Sequence, residues 1–180
     1  MNLREFDSTH FSRGRNWGVQ ASWLLASTLV ESAIPGSSWR AALLRAFGAT
    51  IGKRVTIKPG VKVKFPWRLR VGSDTWIGEK AWIDNLVDVS VGSNCCISQG
   101  VYVCTGNHDW SSPSFDLRTS GVVIADCVWL AAMTVVGPGV AVGEGAVLVI
   151  GSVARSDLNS WTVYAGNPAT PVSSRRVRDA

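Results

Sequence analysis

Histidine is scarce in this chain: His10 and His108 are the only two among 180 residues. A metal centre built from three imidazoles is therefore excluded, and no metal is expected. The four cysteines, Cys95, Cys96, Cys104 and Cys127, have no metal-ligand spacing and read as reduced structural thiols of a cytoplasmic protein. Long hydrophobic runs are missing too. Trp17 to Val30 is the longest, at about fourteen residues against the ~20 that cross a bilayer, so no transmembrane span is expected. This stretch reads as a helix packed on the protein body. The packed reading is favoured because the stretch lacks the Lys/Arg-rich polar face of an interfacial helix; peripheral membrane contact is the alternative. Met1 to Arg15 is polar and of mixed sign, so no secretory leader is expected.

A dense basic stripe is also absent. The net charge is +5, yet the basic residues scatter through Lys53 to Lys64 and gather again only at Arg175, Arg176 and Arg178. With no basic helix and no nucleic-acid motif, nucleic acid is not an expected partner. A small polyanionic ligand, such as a phosphorylated cofactor, suits this distribution better. Flat ranks of Thr or Asn, which a purely structural solenoid would present, are missing as well.

What the chain does have is a period. Aliphatic residues lead six-residue segments in groups of three: Ile51, Ile57, Val63; Val71, Ile77, Ile83; Val91, Ile97, Val103; Ile124, Leu130, Val136; and Val142, Leu148, Ala154. Four places after most leads stands a small or β-branched residue, such as Val55, Thr75, Cys95, Val128 or Ala146. Such a period marks a solenoid in which each repeat buries its apolar side against its neighbours. Three repeats per group predict an all-β solenoid of about five three-sided coils over residues 51–158. The steps Val63 to Val71 and Ile83 to Val91 are two residues longer than the rest, which places a looser corner in successive coils. Val103 to Ile124 is fifteen residues longer than a plain repeat, and residues 104–123 are predicted to leave the prism as an excursion loop. Insertions in repeat proteins gather on binding faces.

Both ends depart from the period. In the N-terminal segment, residues 1–50, Ser38 to Phe47 is a predicted helix: Ser37 or Ser38 can cap it, Trp39, Leu43, Leu44 and Phe47 fall at helical spacing, and Gly48 ends it. A helix there would cover the open edge of the first coil. Residues 159–180, with Pro168 and Pro171, form a tail expected to fold back along the prism. The tryptophans within the repeats, Trp67, Trp76, Trp82 and Trp129, are expected on the outside of the coils.

Several stretches carry a family resemblance: RAALLRAFGATIG (Arg40 to Gly52), FPWRLRVG (Phe65 to Gly72), ISQGVYVCTGNHDW (Ile97 to Trp110), FDL (Phe115 to Leu117) and AGNPA (Ala165 to Ala169). In these the chain resembles the hexapeptide-repeat acyltransferases, whose repeats form a left-handed parallel β-helix. More narrowly, it is similar to the colanic-acid-type exopolysaccharide O-acetyltransferases. The resemblance implies transfer of acetyl from acetyl-CoA to a sugar hydroxyl. It also implies a sugar or glycolipid acceptor and a homotrimer with the acetyl-CoA channel between adjacent prisms. N-acetylation of a nucleotide-linked sugar is the alternative within the same chemistry.

The same resemblance assigns residues. His108, inside the excursion, is implied as general base; an alcohol attacks a thioester poorly unless a base takes its proton, and imidazole is matched to that task near neutral pH. Asn85 is implied as an acceptor contact, and Asp109 or Asp116 as a residue that orients the imidazole or binds sugar hydroxyls. For the cofactor the implied positions are Trp129, Ala131, Ala132, Gly151, Arg155 and Arg175. Here the chain departs from its relatives. It reads WLAA where they carry a WIG-type corner, and VIGSVARSD at Val149 to Asp157 lacks their usual lysine, for which Arg155 stands as the replacement.

Overall fold

Each predicted lead residue points into the centre of a three-sided coil in the computed structural model, which describes residues 1–177. Three parallel sheets form the sides. The first face stacks Thr50–Ile51, Leu69–Val71, Val89–Val91, Val122–Ile124 and Ala141–Val142. The second stacks Thr56–Ile57, Trp76–Ile77, Cys96–Ile97, Trp129–Leu130 and Val147–Leu148, and the third Lys62–Val63, Trp82–Asp84, Tyr102–Cys104, Val135–Val136 and Val153–Ala154. Side chains alternate along a strand, so the residue before each lead points outward. Ile57, Ile77, Ile97, Leu130 and Leu148 form one buried rank, while Trp76 and Trp129, one place earlier, are exposed.

The corners explain how so short a strand can turn. Between the first and second faces, Arg54, Asp74, Asn94, Cys127 and Gly145 all have positive φ, between 53° and 65°. Between the second and third, Gly60, Lys80, Gly100, Met133 and Gly151 also have positive φ, between 57° and 76°. One left-handed residue per corner redirects the chain without consuming a strand position.

That signature also exposes a sixth, incomplete coil. Leu158 bridges Val142, Trp161 takes the left-handed corner position, and Tyr164 pairs with Leu148. The predicted period ends at Ala154 because the next step, to Leu158, is only four residues. Beyond Thr162–Gly166 the chain reverses through Gly166, Asn167, Pro168 and Ala169, and Ala169–Ser174 pairs antiparallel with the strand before it.

The other end is closed by two helices. Helix α1 spans Trp17–Glu31 and α2 spans Ser38–Ala46. Ser37 precedes α2 as expected, but its hydroxyl donates to the Ile57 carbonyl and so ties the helix to the first coil rather than capping it. Helix α1 packs through Trp23, Ala26 and Val30, and the Trp23 indole donates to the carbonyls of Val63 and Lys64. Its opposite side stays exposed. No helix among the described residues is long and apolar enough to cross a membrane.

Arg40 holds this pair of helices together. It has no exposed surface, and its guanidinium donates to the carbonyls of Val30 (2.9 Å), Ser32 (2.6 Å), Ile34 (2.7 Å) and Gly36 (2.5 Å). Burial lowers its pKa from the usual guanidinium value, yet the four carbonyls of the α1–α2 connection need these donors. Arg40→Met is expected to leave them unpaired and to cost about 2–5 kcal/mol. In a denaturant titration the helical signal should then be lost at lower midpoint than in the parent. An unchanged midpoint would mean that water serves the carbonyls equally well.

Candidate active site

The excursion leaves the prism at the edge between the third and first faces, and its base is anchored before it departs. Thr105, fully buried, donates its hydroxyl to the Asp84 carbonyl (3.0 Å) and accepts from the Val87 amide (3.3 Å). Its own carbonyl accepts from Ser120 as the chain returns (2.9 Å). Between these points Gly106–His108 and Leu117–Thr119 pair as an antiparallel hairpin, with His108 opposite Leu117. Thr105 was not among the residues singled out from sequence; it reads there as one more small residue near a strand end.

His108 is half-buried and held on several sides. Its Nδ1 lies 2.8 Å from the Phe115 carbonyl. A carbonyl only accepts, so Nδ1 donates to it, and in the neutral ring the lone pair is on Nε2. The Phe115 ring stacks on the imidazole, with centroids 4.2 Å apart and planes 4° from parallel. From the N-terminal segment, the Phe6 ring approaches within 5.7 Å, and the Asn2 amide donates to the Pro113 carbonyl of the same loop (2.7 Å). The orienting group is thus a backbone oxygen, not either of the two carboxylates named as candidates.

Those carboxylates shape the hairpin instead. Asp109 accepts from the Ser111 hydroxyl and amide and pairs with Arg118, while Asp116 accepts from the Ser114 and Ser112 hydroxyls. These hydrogen bonds hold both below the usual carboxylate range: Ser111 dominates for Asp109, and Ser114 for Asp116. Both therefore stay ionised and occupied within the loop. Asp109 nonetheless borders a cavity of about 410 Å³ beside the hairpin, lined also by His108, Trp110, Arg118 and Pro138.

Asn85 does not reach that cavity. It is fully buried, accepting from the Phe65 amide (3.0 Å) and donating to the Phe65 carbonyl (2.7 Å). Phe65, Asn85 and Thr105 stand above one another at the same edge, and the amide works as a rung between coils rather than as a surface contact.

The residues implied for the cofactor gather elsewhere. Trp129, Ala131, Ala132 and Arg175 line a cavity of about 830 Å³ at the edge between the second and third faces, together with Ile150 and Arg176. Gly151 follows Ile150 at the corner, with open space where a side chain would stand. Arg175 spends Nη1 on the carbonyls of Cys127 (2.7 Å) and Gly145 (3.0 Å). Arg155 lies apart from this group, exposed on the edge that carries the excursion. Arg178 falls outside the described residues. Among the described residues, no three His, Cys, Asp or Glu side chains cluster as metal ligands.

A parallel β-prism with a histidine hairpin on one edge and a small-residue cavity on the next defines a class, and comparison with known proteins agrees. No protein-family profile matches the chain. It is 39% identical over 159 residues to "Putative colanic acid biosynthesis acetyltransferase WcaF" of Escherichia coli, covering 88% of this chain and 85% of that one. It is 25% identical over 146 residues to the galactoside O-acetyltransferase of Escherichia coli, covering 78% and 70%. Among solved structures, a hexapeptide-repeat acetyltransferase of Vibrio cholerae complexed with acetyl coenzyme A superposes with a TM-score of 0.85 at 20% identity, covering 97% of each chain. The chain is a hexapeptide-repeat acetyltransferase. Within that class it belongs to the family of colanic acid biosynthesis acetyltransferases.

Asn85→Ala is expected to strand the buried amide and carbonyl of Phe65 and to cost about 1–3 kcal/mol. Thermal unfolding should fall accordingly, while the KM for the acceptor stays close to the parent value. A raised KM at unchanged stability would return Asn85 to the acceptor site.

Proposed function

We propose that the protein transfers acetyl from acetyl-CoA to a sugar hydroxyl in exopolysaccharide or related glycan biosynthesis, with His108 as general base. The observation that carries this reading is the 2.8 Å contact between His108 Nδ1 and the Phe115 carbonyl. In the neutral ring it puts the lone pair on Nε2, and it holds the ring against rotation. Nε2 takes the proton of the acceptor hydroxyl as the oxygen attacks the thioester carbonyl. The CoA thiolate leaves, and the imidazolium returns the proton to it. The free carbonyl lone pairs of Phe115 continue to accept from Nδ1 throughout, so the imidazolium is stabilised without a carboxylate. Hydroxyls of Ser111 and Thr119 and the exposed Trp110 beside the cavity suit a saccharide, whose ring has polar edges and apolar faces.

The acetyl-CoA site is assigned to the cavity at Trp129, Ala131 and Ala132, with Gly151 keeping its rim open. Arg175 has N–H groups beyond those spent on carbonyls, and with Arg176 it suits the phosphates of the nucleotide. One prism does not bring this cavity to His108. The hairpin stays on its own edge, where Ser120 accepts from Gly139 and Pro138 lines the loop cavity. A cyclic trimer resolves this, each groove taking the hairpin of one subunit and the cavity of the next. Arg155, on the hairpin edge, then faces the neighbour's cofactor. The four unpaired cysteines suit the cytoplasm.

His108→Ala should lower turnover by at least ~10²-fold while the protein stays folded and binds acetyl-CoA. Ala132→Trp should fill the cofactor cavity and abolish activity by a separate route. Co-expressed, the two inactive chains should regain activity, because mixed trimers contain some sites built from an intact hairpin and an intact cavity. Mixtures that remain inactive despite confirmed mixed assembly would refute the shared site. Acetylation of an amino sugar in preference to hydroxyl acceptors would assign N-acetyl transfer instead.

A further inference from the structure

The apolar run Trp17 to Val30 contains no charged residue, and the structure divides it into two faces. Successive helical residues turn by about 100°. Trp23, Ala26 and Val30 lie on one stripe against the prism. On the other side Trp17 is 82% exposed, Leu24 71%, Leu25 75% and Leu29 50%, with Ile34 beyond the helix end at 54%. A helix of this kind meets one apolar phase inside the protein and presents a second apolar surface to the outside. Contiguous exposed patches of this type mark interaction sites rather than ordinary surface.

The surroundings of the patch indicate its partner. A groove of about 500 Å³ separates α1 from the third face, and it is lined by Trp17, Leu24 and Trp82 together with Arg13, Lys62 and Lys64. Lys62 and Lys64 have carboxylates no nearer than 3.9 Å, at Glu31 and Asp84, and their side chains stay 55% and 48% exposed. Cations on flexible stems therefore border an apolar surface that carries Trp and Leu. An isologous second copy would set the same cations against one another. An anionic headgroup layer answers both features, since leucines enter the acyl boundary, tryptophan sits at the interface, and lysine and arginine reach phosphates.

We infer that the outward face of α1 is a docking surface for an anionic lipid bilayer. The helix lies in the plane of the interface; it is too short to span. The polar face that an isolated interfacial helix would need is supplied here by the prism on which α1 rests. This inference goes beyond the acetyl-transfer reading and does not depend on it.

The test is co-sedimentation of the full-length protein, without acetyl-CoA, with vesicles of phosphatidylcholine alone or mixed with phosphatidylglycerol. Binding is expected to the mixed vesicles, weakening as salt is raised. The double variant Leu24→Gln, Leu25→Gln touches nothing assigned to the site and should bind at least ~10-fold more weakly, with unchanged oligomeric mass and unchanged turnover of a soluble acceptor. Failure of the parent to bind mixed vesicles would overturn the inference, as would equal binding by the variant. So would a variant whose oligomeric mass changes while its vesicle binding does not, which would give this face to a second copy.

Discussion

Everything in this molecule depends on coils that superpose. Each coil hydrogen-bonds its backbone to the next, residue above residue, so a lead side chain lies over its counterpart in the coil before, about twenty positions earlier or, across the excursion, 33. A slip of one residue would turn every inward aliphatic outward. The two left-handed corners protect this register, and they are kept in coil after coil even where the residue is Arg54, Lys80, Cys127 or Met133 rather than glycine. The energetic cost of αL in such residues, about 1 kcal/mol each, is offset by the ladders that the turns permit. Length variation is confined to the remaining edge. The longer steps there place Leu69, Val89 and Val122 as an additional buried rank on the first face. An edge that already tolerates two extra residues is the one that accommodates the excursion.

A hairpin so placed can hold a side chain in fixed geometry because both its ends are anchored to the stack. Thr105 and Ser120 tie its base to the coil above and to each other. Its tip is set by Asp109 and Asp116 through serine hydroxyls. His108 sits between these fixed points and takes its orientation from a main-chain oxygen that cannot titrate. Its position and ring orientation therefore follow from the backbone path.

The extent to which sequence disclosed this follows from what a residue type reveals by itself. Inward ranks announce themselves because burial restricts each lead to a few aliphatics, and the excursion shows as a break in the count. His108 was legible through its motif. The partial sixth coil was not: Leu158 follows Ala154 too soon, and Tyr164 replaces an aliphatic lead. The structural parts of Asn85 and Arg40 are hidden for another reason. A corner asparagine that binds a sugar and one that bridges two coils look alike in a sequence. A helical arginine normally reads as solvated, whereas Arg40 donates to four carbonyls of a connection whose path no local pattern predicts. In each case the partner is backbone, and backbone carries no residue label.

The three faces are chemically unequal, and this bears on how a rigid prism completes a site. Outward positions on the first face are Thr50, Arg70, Ser90, Val123 and Ala141; on the second they are Thr56, Trp76, Cys96, Trp129 and Val147, and on the third Lys62, Trp82, Tyr102, Val135 and Val153. The second and third faces flank the edge that carries the cavity at Trp129, Ala131 and Ala132, while the hairpin edge lies between the third face and the first. A stack of ladder-bonded coils has no hinge by which these two edges could approach. Subunits packed through the second face, which does not line the α1 groove, would instead bring the hairpin of one to the cavity of another. They would do so in a fixed geometry, set by the same register that orders each prism.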